Sequence, residues 1–238
     1  MSGEEEVAGL ERLEREVVDC RLCPRLVRYR ETVPPRAAFR SQEYWRRPVP
    51  GFGDPRAWLM VLGLAPSAHG GNRTGRVFTG DESGRFLMRA LYEAGFANQP
   101  TSLSRDDGLR LEGCFIAAAA RCAPPENRPT HAEFDRCRPY LERELELLSG
   151  LRAVVALGQT AFRAYLDIAR RRGASVGTGG FAHGARIPVD GMPWLYCSYH
   201  PSPQNTYTGR LTARMLNDVF EAAKADRSAF EARRAGWP

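Results

Sequence analysis

Four short, almost uninterrupted apolar segments leave this 238-residue chain few ways to fold. They lie at residues 58–64, 114–120, 153–157 and 194–199. Apolar runs of this length are typical of strands that are buried on both faces, as in a parallel sheet. Helical periodicity lies between and after them, at residues 84–94, 132–148, 159–172 and 211–224. The alternation predicts an α/β fold, namely a three-layer α/β/α sandwich around a mainly parallel, four-stranded sheet.

The length and the apolar content indicate one domain over residues 1–238. The chain is 43% hydrophobic, enough to bury a full core, and its length is near the upper end for a single domain. We expect residues 1–50 to form a helix and an irregular arm that pack on this core. A surface loop is predicted at 173–184, and a polar C-terminal tail at 225–238.

Charge and hydropathy narrow the class of partner. No apolar run approaches the roughly 18 residues that span a bilayer, and the acidic N-terminus does not resemble a secretory signal, so we expect a cytoplasmic protein without membrane contact. The formal net charge of +6 favours a polyanionic partner. Lys224 is the only lysine, which makes catalysis through a lysine Schiff base improbable.

Six cysteines in a cytoplasmic chain favour free thiols or metal ligands over disulfides. Four of them form a close pair and a wider pair: Cys20, Cys23, Cys122 and Cys137. Such a set can bind zinc or an iron-sulfur cluster, and the 14-residue gap in the second pair favours the cluster. Buried free thiols are the remaining alternative. Cys114 and Cys197 lie inside strand patterns and are predicted to be core residues.

Ligands of such folds bind beyond the carboxyl ends of the strands. The glycine-rich loop at 63–81 follows the first strand but has neither the phosphate-loop nor the dinucleotide-binding pattern. It ends at Asp81, a candidate catalytic acid or a turn carboxylate, and Ser83 is predicted to cap the next helix. Phe78 is either a core residue or a site residue. His200 leaves the last strand among prolines, as a site residue or as a histidine bonded to the backbone.

Five ordered motifs between residues 20 and 214 resemble the uracil-DNA glycosylase superfamily. They are VPGFGDP at 49–55, GLAP at 63–66, RVFTGD at 76–81, RCAPPEN at 121–127 and HPSP at 200–203. Within it the chain is similar to the iron-sulfur-containing family 5, also called type B. Family 4 carries a glutamate and an asparagine where this chain has Leu64 and Ala118. The exchange implies family 5 and a roomier base pocket.

The resemblance implies roles for single residues. Asp81 would assist the water or the cationic sugar, His200 would stabilise the oxygen of the departing base, and Asn127 would contact the base or position water. Phe78 would stack on the flipped base, and Ala65 would line its pocket. The residues expected to contact DNA are Arg76, Ser202, Pro203, Gln204, Asn205 and Arg210. Cys20, Cys23, Cys122 and Cys137 would hold a [4Fe-4S] cluster.

The implied function is that of a monofunctional DNA glycosylase. It would flip out and hydrolytically excise uracil, and also other deaminated bases such as hypoxanthine, and so initiate base excision repair. Its partner would be double-stranded DNA containing deaminated bases, with single-stranded DNA as an open alternative, and we expect a monomer. The competing hypothesis is a non-catalytic DNA-binding module with a structural iron-sulfur or zinc site.

Overall fold

The computed structural model describes the backbone of residues 3–235 and the side chains of residues 3–227. Within this range one sheet contains six strands in the order β1-β3-β2-β4-β6-β5. The strands are β1 (Phe52–Gly53), β2 (Leu59–Gly63), β3 (Cys114–Ala118), β4 (Ala153–Leu157), β5 (Arg186–Ile187) and β6 (Trp194–Ser198). The expected three-layer α/β sandwich is confirmed, but the expected count of four strands is wrong.

The four long strands are parallel to one another, as predicted, and the two additional strands are antiparallel edges. Each edge strand has two residues. A strand of two residues is too short to produce an apolar run, which explains why the sequence pattern does not reveal it. The inner strands are in flush register, with Leu59 opposite Cys114 and Ala153. Their carboxyl ends therefore meet along one edge of the sheet.

Helices cover both faces of the sheet. They are α1 (Gly3–Val18), α2 (Pro24–Thr32), α3 (Gly71–Thr74), α4 (Glu82–Glu93), α5 (His131–Leu147), α6 (Gln159–Arg171), α7 (Pro203–Tyr207) and α8 (Ala213–Ala235), with short 3-10 turns at Ala37–Phe39 and Pro125–Asn127. Helices α4 and α8 pack together over one face, and α5 and α6 cover the other, with α1 against α5. Two apolar layers therefore enclose the sheet, and burying them supplies the main driving force for folding.

The helix ends differ from the sequence expectations at two places. Asp81, not Ser83, caps α4, because its Oδ1 accepts a hydrogen bond from the Gly84 amide at 2.8 Å. Helix α8 continues to Ala235 where a tail was expected from residue 225, and residues 236–238 lie outside the described residues. Helix α5 begins with a reciprocal capping box formed by Thr130 and Glu133.

The N-terminal arm packs on the loops at the carboxyl edge of the sheet. The amides of Trp45 and Arg46 donate to the carbonyls of Arg73 and Asn72, at 2.9 and 3.1 Å. The Val49 amide donates to the carbonyl of Arg121 at 2.7 Å. The arm thus supports the loop that follows β2. No helix in the described part of the chain is long and apolar enough to cross a membrane.

Candidate active site

Asp81 is held with both carboxylate oxygens occupied. Besides the Gly84 amide on Oδ1, the hydroxyl of Ser67 donates to Oδ2 at 2.5 Å, and the same hydroxyl accepts from the Gly70 amide at 2.9 Å. A Cβ atom at Gly70 would lie 2.1 Å from Asp81 Oδ2, so only glycine fits there. The carboxylate also faces the N-terminus of α4, whose dipole favours a negative charge.

Phe78 places an aromatic ring at the end of β2. Its backbone is in the left-handed region at φ 49°, which is strained for a bulky residue and is typical of functional sites. Its ring lies against Gly63, where an added Cβ would come within 2.8 Å of it. The ring centroid is 6.0 Å from that of His200, with the planes tilted by 34°. The structure therefore brings Phe78 and His200 together.

His200 is a neutral imidazole at pH 7. Burial lowers its pKa from 6.5 to about 4, and the charge of Asp81 acts weakly in the opposite direction. The two residues are thus within electrostatic reach of each other, with the carboxylate on α4 and the imidazole after β6. A neutral imidazole can donate a hydrogen bond to a developing negative charge without carrying a charge of its own.

The segment after β6 presents an exposed surface next to this group. Pro203, Gln204 and Arg210 are exposed, and the Arg210 guanidinium lies 4.7 Å from the centroid of the Tyr199 ring. Ser202 is partly exposed. The Asn205 amide donates to the carbonyl of His200 at 2.8 Å, so this side chain also fixes the turn that carries the histidine.

Tyr207 is a residue of this surface that the sequence motifs do not identify. It is 75% exposed, more than any other large apolar or aromatic side chain among the described residues. Its hydroxyl lies 3.4 Å from Glu82 Oε2, directly after Asp81. The available sequence signal is an aromatic residue in an otherwise polar turn that ends at Gly209, where φ is 71°.

Arg76 does not lie on this surface, contrary to the expectation that it contacts DNA. It is 6% exposed, and its guanidinium bonds to Asp107 at 2.8 Å and to Ser102 at 2.9 Å. The RVFTGD motif places an arginine next to the site but carries no information on the direction of its side chain. Its partner Asp107 lies 31 residues further along the chain.

Asn127 and Ala65 lie in two different loops at the carboxyl edge of the sheet, after β3 and after β2. Asn127 is exposed in the left-handed region at φ 55°, and with Leu64 it lines a cavity of about 850 Å³ between α5 and α6. Ala65 is partly exposed in the loop after β2. The structure thus supplies no contact that joins Asn127 to the other catalytic candidates in the described residues, and its role stays a prediction.

The four paired cysteines approach one another from three parts of the chain. Cys20 follows α1, Cys23 precedes α2, Cys122 follows β3 and Cys137 lies in α5. Cys23 and Cys122 are each 6% exposed and pack with Leu26. Burial raises the pKa of Cys122 to about 11; the Arg30 guanidinium opposes this rise, and negative charge at Cys20 and Cys23 contributes to it. Burial likewise raises the pKa of Cys137 to about 12, with contributions from Cys122 and Cys23.

The surroundings of these thiols fit a group that binds thiolates. The buried Arg30 donates to Cys122 Sγ at 3.0 Å, and a hydrogen bond from Arg136 lowers the otherwise raised pKa of Cys23. In the described residues no three or more His, Cys, Asp or Glu side chains are arranged to hold one metal ion. Cys114 and Cys197 are fully buried in the core, as predicted.

Comparisons with known proteins give the family. The family model of the uracil DNA glycosylase superfamily matches residues 50–224. A type-5 uracil-DNA glycosylase of Thermus thermophilus is 53% identical over 207 residues, which cover 86% of this chain and 92% of that protein. One from Pyrobaculum aerophilum is 51% identical, covering 88% and 90%. A type-4 uracil-DNA glycosylase of Pyrobaculum aerophilum is 31% identical, covering 67% and 74%.

The region matched by the family model includes the site residues at the carboxyl edge of the sheet. The matched region contains the loop with Phe78 and Asp81 as well as the His200 turn. Identity is about 20 percentage points higher to the type-5 proteins than to the type-4 protein, from 51% and 53% against 31%. This chain belongs to the uracil-DNA glycosylase superfamily and, within it, to the type-5 enzymes.

Proposed function

We propose that this chain excises uracil from DNA by hydrolysis of the N-glycosidic bond and so initiates base excision repair. The observation that carries the proposal is the grouping of a fixed carboxylate, Asp81, with an aromatic ring and a neutral imidazole, those of Phe78 and His200, at the carboxyl edge of the sheet. The type-5 relatives are named for this substrate. The fold alone would not support the assignment, because folds host many functions.

Two charges develop in the reaction, and Asp81 and His200 would each stabilise one of them. A base inside the duplex stack is inaccessible, so the nucleotide must first be flipped out, and Phe78 would stack on the extruded base. When the C1′–N bond breaks, its electron pair leaves with the base, and the sugar becomes cationic. Asp81 stabilises that cation and accepts the proton of the water that attacks C1′, while His200 donates a hydrogen bond to the base oxygen.

The reaction ends at an intact abasic site. Strand cleavage by a glycosylase proceeds through a Schiff base with an amine, and Lys224 lies on α8, where its ammonium pairs with Glu221. We therefore infer a monofunctional enzyme. Alkali would be needed to convert its product into a strand break.

The base pocket should accept more than uracil. Leu64 and Ala118 stand where type-4 enzymes carry polar residues, and Ala118 is buried at the end of β3. Without those two groups the pocket has fewer buried donors and acceptors that a different base would leave unpaired, and this lowers its discrimination. We infer that deaminated purines such as hypoxanthine are substrates as well.

DNA binding would rely on the segment after β6 and on the overall positive charge. Ser202, Pro203, Gln204 and Arg210 would meet the phosphate backbone, and Tyr207 would occupy the gap left by the extruded nucleotide. The net charge of +6 adds attraction that does not depend on sequence. The enzyme would act as a monomer on duplex DNA.

A [4Fe-4S] cluster would be held by Cys20, Cys23, Cys122 and Cys137. The support is the set of four mutually interacting thiols together with the buried Arg30 guanidinium, which offsets negative charge on Cys122. Bound there, the cluster would cross-link α1, α2, the loop after β3 and α5. Such a cross-link restricts the unfolded chain and stabilises the arm against the core.

A single-turnover assay tests the proposal. Duplex oligonucleotides that carry one uracil or one hypoxanthine are incubated with excess protein, with and without subsequent alkali. Breaks that depend on alkali are expected at both bases. The Asp81→Asn variant should be slower on the order of 10²-fold or more, as for other preorganised groups that stabilise charge. Absence of release by the parent protein would favour the non-catalytic DNA-binding hypothesis.

A further inference from the structure

A second exposed apolar side chain belongs to the loop formed by residues 99–109, here called the Leu103 loop, in which Ser102 bonds to Gly80, the residue before Asp81. Leu103 is 66% exposed, and of the large apolar side chains in the described range only that of Tyr207 is more exposed. A single exposed leucine is ordinary on a protein surface. The position and the rigidity of the loop set this one apart.

The Leu103 loop is hydrogen-bonded to the glycine-rich loop at residues 63–81, which ends at Asp81. The Gly80 amide donates to the carbonyl of Ser102 at 2.8 Å, and the hydroxyls of Thr79 and Ser102 are 2.6 Å apart. Leu103 therefore directly follows Ser102, which contacts Gly80, the residue before Asp81. Tyr207 contacts Glu82, the position after Asp81.

A buried ion pair makes the Leu103 loop rigid. Arg76 and Asp107 are mostly buried and bond at 2.8 Å, and Asp107 also accepts from the backbone amide of Leu103 at 2.6 Å. Arg76 reaches the Arg105 carbonyl at 3.0 Å as well. Burying an ion pair costs desolvation energy, and exposed loops are usually mobile. Here the pair fixes the backbone of an exposed leucine.

We infer, on the basis of the proposed function, that Leu103 is a second wedge that enters duplex DNA beside the extruded nucleotide. An apolar side chain on a rigid backbone can separate stacked bases, and it gains apolar contacts that offset the loss of stacking. Tyr207 and Leu103 then belong to two segments that are each bonded to a chain neighbour of Asp81, Tyr207 to Glu82 and the Leu103 loop to Gly80. The buried Arg76 serves this DNA contact indirectly, by holding the loop that carries Leu103.

The test compares Leu103→Ala with Tyr92→Ala. Tyr92 is also an exposed side chain, but it lies in the last turn of α4, about 17 Å along the helix from Asp81. Single-turnover uracil release is measured on a duplex and on the same strand alone. Leu103→Ala should slow release from the duplex about tenfold, the equivalent of one lost apolar anchor, with less than about a twofold change on the single strand. Tyr92→Ala should match the parent protein on both, and Leu103→Met should restore the duplex rate.

A second readout does not require chemistry. The duplex carries an uncleavable abasic analogue next to 2-aminopurine, whose fluorescence rises when it is unstacked. The parent protein and Tyr92→Ala should raise the fluorescence at saturation, and Leu103→Ala should raise it less. Equal fluorescence for all three proteins, an unchanged duplex rate for Leu103→Ala, or equal slowing on both substrates would each overturn the wedge. A parent protein that releases no uracil would overturn the proposed function, and the fluorescence would still decide on the wedge.

Discussion

Replacing His200 with glutamine should make the fold less sensitive to acid. In the parent protein, burial holds the pKa of His200 at about 4, against 6.5 for an ordinary histidine. Above pH 6.5 the side chain is neutral in both the folded and the unfolded state and contributes no pH dependence. Between pH 6.5 and 4 the unfolded chain takes up a proton that the folded protein does not. Stability is therefore lost as the pH falls through this window.

The magnitude follows from the two pKa values. At pH 4 a histidine of pKa 6.5 is almost fully protonated in the unfolded chain, whereas His200 is about half protonated in the folded protein. The difference corresponds to about 3 kcal/mol of lost stability between pH 7 and pH 4. Carboxylates also contribute to acid unfolding, but they are common to both proteins. The variant His200→Gln should therefore lose about 3 kcal/mol less than the parent over the same pH range.

Urea unfolding of the parent and of His200→Gln at pH 7, 5.5 and 4 measures this difference. The slope of the unfolding free energy against urea concentration should be the same for both proteins, so that the midpoints report stability. Equal losses of stability on acidification would refute the view that His200 is buried as a neutral imidazole. The role proposed for it as an uncharged donor to the departing base would then fail as well.

Three further substitutions address the support of the site. Ser67→Ala removes a hydrogen bond to the Asp81 carboxylate and should lower single-turnover uracil release by about 10- to 100-fold with duplex affinity unchanged; an unchanged rate would show that the serine has no positioning role. Gly63→Ala places a Cβ within 2.8 Å of the Phe78 ring and should destabilise the fold by about 1–3 kcal/mol, measured by calorimetry. The displaced ring should also slow base release in the single-turnover assay. Arg30→Met removes the donor to Cys122 Sγ and should weaken binding of the proposed cluster by about 10- to 100-fold, measured as loss of visible absorption against a chelator; equal loss curves for the variant and the parent would count against it.

The parallel core of the fold could be predicted because its signal is local. Each inner strand is buried on both faces, so each one produces a continuous apolar run in the sequence. The edge strands β1 and β5 are short and pair on one side, which leaves no such run. Asp81 illustrates the limit for helix ends. From the sequence, either Asp81 or Ser83 could cap α4. Only the three-dimensional turn shows that Asp81 does so.

The site residues divide in the same way between local and long-range information. Phe78 and His200 follow strands, and their proximity follows from the parallel register once the strands are identified. Arg76 could not be assigned from its motif, because its environment depends on Asp107 in a loop beyond α4. Tyr207 and Leu103 are identified only by their exposure. Exposure is a property of the whole surface and has no signature in a short motif.

Arg30 joins the four paired cysteines to the loop at residues 63–81, which ends at Asp81. Its guanidinium contacts Cys122 Sγ at 3.0 Å and the Cys20 carbonyl at 3.3 Å, while its own carbonyl accepts from the Asn72 side chain at 3.1 Å. Asn72 is fully buried and its backbone amide donates to the carbonyl of Ser67, the residue that holds Asp81. These contacts are buried or partly buried, so two side chains and one backbone turn form a continuous chain of hydrogen bonds from the cysteines to the residue that holds Asp81. The chain connects parts of the sequence that are far apart, since more than 40 residues separate Cys23 from Ser67.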